Sequence, residues 1–210
     1  MVNANAVQRV VTHGTFELDG GSWDVDNNIW IVGDGAEVIV IDAAHDAEAI
    51  ERAVGGRQVV AVVCTHGHND HITVAPQLGT DLDAPVLLNP ADTMLWEMTH
   101  GDTAFSPLRD GQVISAGGIE LRVIATPGHS PGSTCLYAPQ LGALFSGDTL
   151  FQGGPGATGR SFSDFGTILA SIKEKLGVLP PETVVYTGHG DSTRVGDEIV
   201  HYDDWVARGH

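Results

Sequence analysis

The segment His66-Gly67-His68-Asn69-Asp70-His71 places three imidazoles and a carboxylate within six residues. A lone histidine is ordinarily a solvated side chain, but His and carboxylate groups clustered on one loop are a metal-binding signature. The segment follows Val59-Val60-Ala61-Val62-Val63-Cys64-Thr65, a β-branched run of the kind that forms a strand buried on both faces. The ligand-type residues therefore begin where a strand ends. On a chain that is still extended, His66 and His68 point to one side and can reach one ion. Asp70 and His71 fall on the turn into a helix, aimed at a neighbouring point, so the spacing suggests two metal positions rather than one.

Such a centre needs further ligands. Three later strand-like runs each end in a glycine beside a His or Asp. Leu121 to Ala125 leads into Thr126-Pro127-Gly128-His129, Ala143 to Phe145 into Ser146-Gly147-Asp148, and Val184 to Tyr186 into Thr187-Gly188-His189. Glycine permits the sharp exit that turns a side chain inward over the strand ends.

The series H-x-H-x-D-H, P-G-H, S-G-D-T and G-H-G resembles the metallo-β-lactamase fold superfamily over nearly the whole chain, and is most similar to its glyoxalase II-like hydrolases. The resemblance implies one metal held by His66, His68 and His129, a second by Asp70, His71 and His189, and Asp148 bridging the two. It also implies an α/β fold, a four-layer αββα sandwich of two mixed β-sheets flanked by helices, with the site at one edge of the facing sheets. Asp42, closing the run Val38 to Ile41, matches the strand-end aspartate that supports the ligand loop from behind, although an ordinary turn residue fits equally.

Mixed imidazole and carboxylate ligands suit Zn²⁺, Fe²⁺ or Mn²⁺; zinc is favoured, and the identity stays open because no thiolate is in the set. Two ions sharing Asp148 would hold a water, lower its pKa toward neutrality and present hydroxide to a carbonyl, with Asp70 accepting the proton. No general acid stands beside the ligands. A thiolate leaves unaided, because a thiol's pKa is about 8.5, which tilts the reading toward a thioester. The resemblance points the same way, toward hydrolysis of S-acyl thiols. Only 21 residues follow His189, too few for the C-terminal helical domain of full-length glyoxalase II, so the expected thiol carrier differs from glutathione. Arg160 ends a Gly-rich stretch, Phe151 to Arg160, and matches the family's arginine as a substrate-carboxylate contact or a structural salt bridge, the second being favoured. The rival activities are a single-iron persulfide dioxygenase, an acyl-homoserine lactonase and, least favoured, a β-lactamase. A non-catalytic metal-binding module is the rival from another class.

Composition sets limits. The 210 residues suit a single domain, 1–210, with a sizeable core. A formal charge of −17 with only ten Lys and Arg argues against nucleic acid. The segment Met1 to Val7 lacks a basic start and an apolar core, and no run approaches membrane-spanning length, so a cytoplasmic monomer or homodimer acting on a small molecule is expected. Cys64 and Cys135 lie in apolar runs and read as small buried hydrophobes. His13, His45, His100, His201 and His210 read as surface or supporting residues, with His100 the one placed to touch substrate.

Periodicity predicts strands at Val7 to His13, Asn28 to Val32, Val38 to Asp42, Val59 to Thr65 and Val86 to Leu88, with helices at Ala47 to Val54, Asp70 to Leu78 and Ala91 to Met98. A second half follows with strands near Gln112 to Ser115, Ile119 to Thr126, Ser133 to Ala138, Ala143 to Phe145 and Val184 to Tyr186, and a covering helix from Phe165 to Leu176.

Overall fold

The computed structural model describes residues 6–209; residues 1–5 of the N-terminal segment, and His210, lie outside the described residues. The first sheet contains β1 (Val7–Leu18), β2 (Gly21–Gly33), β3 (Glu37–Ile41), β4 (Gln58–Val63), β5 (Val86–Leu88) and β6 (Ser106–Pro107), in that spatial order. Its first three strands are antiparallel neighbours, and β3 through β6 run parallel. Helices α1 (Ala47–Val54), α2 (Asn69–Ile72), α3 (Ala75–Asp81) and α4 (Thr93–His100) fall between these strands.

The second sheet is built from β7 (Val113–Ala116), β8 (Ile119–Ala125), β9 (Thr134–Ala138), β10 (Ala143–Gly147), β13 (Val184–Thr187) and β14 (Thr193–Arg194), in the order β14-β13-β10-β9-β8-β7. A small ribbon, β11 (Leu150–Phe151) with β12 (Gly154–Pro155), follows β10. Helices α5 (Phe165–Ser171), α6 (Val195–Ile199) and α7 (Tyr202–Arg208) belong to this half.

Alternation along the strands explains the layering. In β2, Ile29 and Ile31 turn to one face and Trp30 and Val32 to the other, as a strand's period of two requires, and each pair enters a different core. The outer face packs Ile29, Ile31, Val38, Val40 and Val62 against Ile50, Val54, Leu78 and Trp96 of the helices. The inner face packs Trp30, Val32, Ile39, Ile41 and Val63 against Leu121, Val123, Leu136 and Phe145 of the second sheet. Cys135, Leu144 and Val185 on that sheet's far face meet Ile168, Leu169, Ile172 and Trp205. The result is the expected αββα sandwich of two mixed sheets. Each buried Val, Ile or Phe contributes about 1.5–3 kcal/mol relative to exposure, so the layers carry stability and the strand-end loops can hold costlier conformations. Cys64 and Cys135 are buried and unpaired, in different cores. Among the described residues, no helix is long and apolar enough to cross a membrane.

Several local expectations change. The first two strands extend well beyond Val7 to His13 and Asn28 to Val32, into a hairpin that pairs Leu18 with Gly21. Its loop, Asp19-Gly20, has positive φ at both residues (53° and 76°), the type I′ conformation that Asp-Gly favours. The helix expected over Asp70 to Leu78 breaks in two because Pro76 has no N–H for the Ile72 carbonyl. His100 fills that vacancy, donating from Nε2 to Ile72 O at 2.8 Å while packing on Trp96, so its ring is committed to the fold and does not line the site cavity. The helix expected over Ala91 to Met98 begins as a 3₁₀ turn, Pro90–Asp92, and only Thr93–His100 is α-helical. The covering helix starts on an Asp164 cap, its carboxylate accepting from Thr167 N at 2.7 Å, and widens into a π-type turn over Ile172–Leu176. The short pieces β6, β11, β12 and β14 and the helices α6 and α7 were not expected; two-residue strands leave no periodic signal.

Candidate metal centre

Parallel pairing gathers the site. β3 and β4 run parallel, as do β10 and β13, so residues leaving their C-terminal ends emerge at one edge of the sandwich. Pairing of Gly147 with Thr187 sets Asp148 beside Gly188. A Cβ on Gly188 would lie 2.3 Å from Asp148 Oδ1 and 2.8 Å from His71 Cε1, so only glycine fits. The two sheets are tied at this edge by Thr134, whose N–H and hydroxyl both donate to Thr65 O, at 2.8 and 3.0 Å.

All seven residues singled out as ligand types meet here. His66 Nε2, His68 Nδ1 and His129 Nε2 converge, with both His66–His68 and His68–His129 approaches at 3.0 Å. Beside them, His189 Nε2 lies 3.2 Å from His71 Nε2 and 3.2 Å from Asp70 Oδ2, and His71 Nε2 lies 3.5 Å from that oxygen. Ligands held about 2.0–2.1 Å from a tetrahedral ion stand about 3.3 Å apart; the aspartate-bearing triad brackets that spacing and the two approaches in the all-imidazole triad are slightly shorter. Asp148 faces both: Oδ2 is 3.6 Å from His129 Nε2 and 3.5 Å from His189 Nε2, and Oδ1 is 3.3 Å from His71 Nε2.

The outward atoms decide what the inward atoms present. His129 Nδ1 donates to Ala157 O at 2.8 Å, His189 Nδ1 to Asp26 O at 2.7 Å and His71 Nδ1 to Asp42 Oδ2 at 2.9 Å. Carbonyl and carboxylate oxygens only accept, so these rings carry their proton outside and, when neutral, turn lone pairs toward one another. Asp148 Oδ1 is buried without a hydrogen-bond donor. Converging lone pairs and an orphaned carboxylate oxygen lack a positive charge at their centre, and the donor set suits divalent metal ions.

The two triads differ in charge. Burial, with the neighbouring imidazoles, pushes His66 well below the usual range and His68 down to about 3. Burial acts the same way on His71 and His189, but Asp148 and Asp70 outweigh it, holding His71 well above its ordinary value and His189 up at about 10. Burial would raise the Asp70 and Asp148 carboxyls, yet the facing imidazoles hold both low, Asp148 well below the usual range. The carboxylate side draws positive charge strongly; protons supply it where no ion does.

Asp42 Oδ1 accepts from Thr65 N at 2.8 Å, and its Oδ2 accepts from Thr65 Oγ1 at 3.1 Å as well as from His71. Two supporting residues escaped the sequence reading. Asp92, buried and with its carboxyl pushed up by that burial, accepts from Gly67 N at 2.8 Å, Ser130 Oγ at 2.7 Å and Gly132 N at 2.6 Å. It clamps the loop of His66 and His68 to the loop of His129, and no local pattern marks it. Asn27, fully buried on β2, lies 3.2 Å by its Nδ2 from Asp70 Oδ2 and receives His45 Nε2 at 2.9 Å. The Asp19-Gly20 turn was the available signal, because it extends β2 through Asn27.

A cavity of about 290 Å³ opens in front of the cluster, walled by Phe16, Val25, Phe151, Ala157 and Arg160. Arg160 stacks on Trp23, its Cζ 3.8 Å from the ring centroid, with Phe16 at 5.7 Å. The aromatic faces of the extended hairpin hold the guanidinium, and Asp19 at the hairpin tip is its charged neighbour, hydrogen bonds from Ser161 and the Arg160 charge together holding the Asp19 carboxyl low. The Gly-rich stretch thus supplies both this wall and the Ala157 carbonyl that orients His129. His13 pairs with Asp26 at 2.9 Å in solvent, and His201 sits 3.6 Å from Asp204.

The chain is similar to known proteins. The chain is 36% identical over 182 residues to a hydroxyacylglutathione hydrolase of Acidiphilium cryptum, covering 85% of this chain and 70% of that one. Among solved structures, TTHA1623 in a di-iron-bound form superposes with a TM-score of 0.75 at 32% identity, covering 83% of this chain and 93% of its own. The B3 metallo-beta-lactamase BLEG-1 superposes with a TM-score of 0.73 at 27% identity, covering 92% and 99%. The model of the metallo-beta-lactamase superfamily matches residues 23–189, a span that begins in the first hairpin and ends on the last histidine of the cluster, and the chain belongs to that superfamily.

Proposed function

We propose that the cluster holds two divalent ions, zinc by preference with iron or manganese as alternatives, and that the protein hydrolyses a thioester of a low-molecular-weight thiol. In this reading His66, His68 and His129 hold one ion, Asp70, His71 and His189 the other, and Asp148 is shared. The observation that carries it is the placement of the Asp148 carboxylate, within 3.6 Å of a nitrogen from each triad. Divalent ions bound there would polarise a carbonyl and lower the pKa of a bound water.

The chain's own residues account for the remaining steps. Asp70 keeps Oδ2 toward His71 and His189, and its other oxygen takes the proton of the attacking water. Phe16, Val25 and Phe151 line the cavity with apolar surface that receives the acyl group and limits bulk water. Arg160 is the cation of that wall and would hold an anionic group of the thiol carrier. Outside the cluster the wall carries no proton donor suited to an amine or alkoxide leaving group, since an arginine stays protonated. A thiolate needs none, and this favours a thioester over an amide or ester. The relatives named as hydroxyacylglutathione hydrolases support the same substrate class.

Metal analysis of the purified protein, beside assays with thioester, lactone, β-lactam and persulfide substrates and an oxygen electrode, tests the reading. Two ions per chain with thioester turnover and no oxygen uptake is the expected result. One iron with oxygen consumption would replace hydrolysis by persulfide oxidation.

A further inference from the structure

The loop 42–45 holds two non-glycine residues in left-handed backbone, Asp42 at φ 61° and His45 at φ 65°. L-residues adopt this conformation only at a cost, so each calls for an explanation. Asp42 has one in the hydrogen bonds that hold Thr65 and His71. For His45 the corresponding contact is Asn27, whose Oδ1 lies 2.9 Å from His45 Nε2. Asn27 in turn directs Nδ2 at the aspartate-bearing triad, 3.2 Å from Asp70 Oδ2, 3.4 Å from His71 Nε2 and 3.5 Å from His189 Nε2.

The orientation of this amide follows from elimination. An ionised Asp70 can only accept, so the Asn27 atom facing it must be the NH₂ group. The amide oxygen then faces His45, and His45 Nε2 must carry the ring's proton. The opposite flip would set two acceptors against each other in a buried site. Space is committed as well: a Cβ on Gly14 of β1 would lie 2.1 Å from His45 Nδ1, so the ring occupies room that only glycine leaves. Among the described residues no side-chain amide reaches the His66, His68 and His129 triad, whose outer nitrogens meet Thr65 Oγ1 at His66 and the Ala157 carbonyl at His129.

We propose that Asn27, locked by His45, is a positioning residue for Asp70: its amide pins Oδ2 between His71 and His189 and thereby sets that triad's affinity for a divalent ion. The proposal rests on the reading of the cluster as a metal centre.

Titration of the apoprotein with Zn²⁺ in a calorimeter, and with Co²⁺ by visible absorption, tests it. The unmodified chain is expected to show two binding steps. Asn27→Leu should weaken one step by about 10–100-fold, the range for residues that orient ligands, and leave the other unchanged, which also reports that the variant is folded. His45→Ala should move the same step. His45→Gln, whose side-chain N–H can still donate to Asn27 Oδ1, should restore it to within a few-fold. If Asn27→Leu does not fold, Asn27→Ala removes the amide without added bulk or charge and should show the same loss. Wild-type affinities at both steps in the Asn27 and His45→Ala variants overturn the proposal, as does His45→Gln binding no better than His45→Ala. An unmodified chain that takes up no divalent ion defeats the metal reading and this proposal together, and is recognised before any variant is compared.

Discussion

The two halves of the cluster are built from similar rings on similar strand ends, yet they differ in charge and in where their supporting carboxylate lies. The His66, His68 and His129 half is all imidazole, its His66 and His68 rings kept neutral by burial, and its loops are clamped together by a carboxylate behind them, Asp92. The Asp70, His71 and His189 half carries its carboxylate inside, and each member is oriented individually: His71 by Asp42, His189 by the Asp26 carbonyl and Asp70 by Asn27. A neutral triad needs its loops fixed in space, since nothing inside it attracts its members to one another. A charged triad already draws its members together and needs its geometry restrained.

Removing what the halves share should have the largest effect. Asp148→Ala is expected to lower turnover by about 10³-fold or more, equivalent to roughly 4 kcal/mol, and to reduce bound metal below the wild-type content; full activity in that variant would end the shared-ligand assignment. Asp92→Ala should come next, because it leaves buried donors on two loops without an acceptor. A loss of about 2–4 kcal/mol in chemical denaturation is expected, together with weaker metal binding at the all-imidazole half; unchanged stability would show that the loops are fixed by other contacts. Asp42→Asn, which removes the charge that fixes the His71 tautomer, should weaken ion binding at the other half by about 10–100-fold. Loss at the His66 half instead would reverse the comparison. The smallest change should follow Arg160→Met in the cavity wall: a rise in KM of about tenfold for anionic thioesters, with kcat little altered, read from steady-state kinetics. An equal rise for neutral thioesters would assign Arg160 to cavity shape instead of anion recognition.

The site was legible in the sequence wherever its residues lie next to a strand end. His66 to His71, His129, Asp148 and His189 each follow an apolar run closely, and the β-branched pattern that forms the strand also announces where it stops. Asn27 lies inside a strand whose flanking residues Asp24 and Asp26 look like loop, and only pairing with β1 keeps that stretch extended. Asp92 sits in a 3₁₀ turn, where neither a period of two nor one of 3.6 applies. His100 was misjudged because its role depends on a carbonyl freed by Pro76 and lying 28 residues away.

The sequence by itself determined where most strands and the ligand-type residues lie, because apolar runs mark strands and ligand type dictates what can bind; the layered α/β architecture followed from what the resemblance to the metallo-β-lactamase superfamily implies. Tertiary structure alone decided which proton each ring carries, which wall Arg160 joins and what restrains Asp70. Those depend on contacts such as His189 to Asp26, 163 residues apart, and on the hairpin that sets Asn27 behind the site. No local pattern encodes such contacts, since they exist only once the two sheets pack face to face and the loops at their shared edge compete for the same few ångströms.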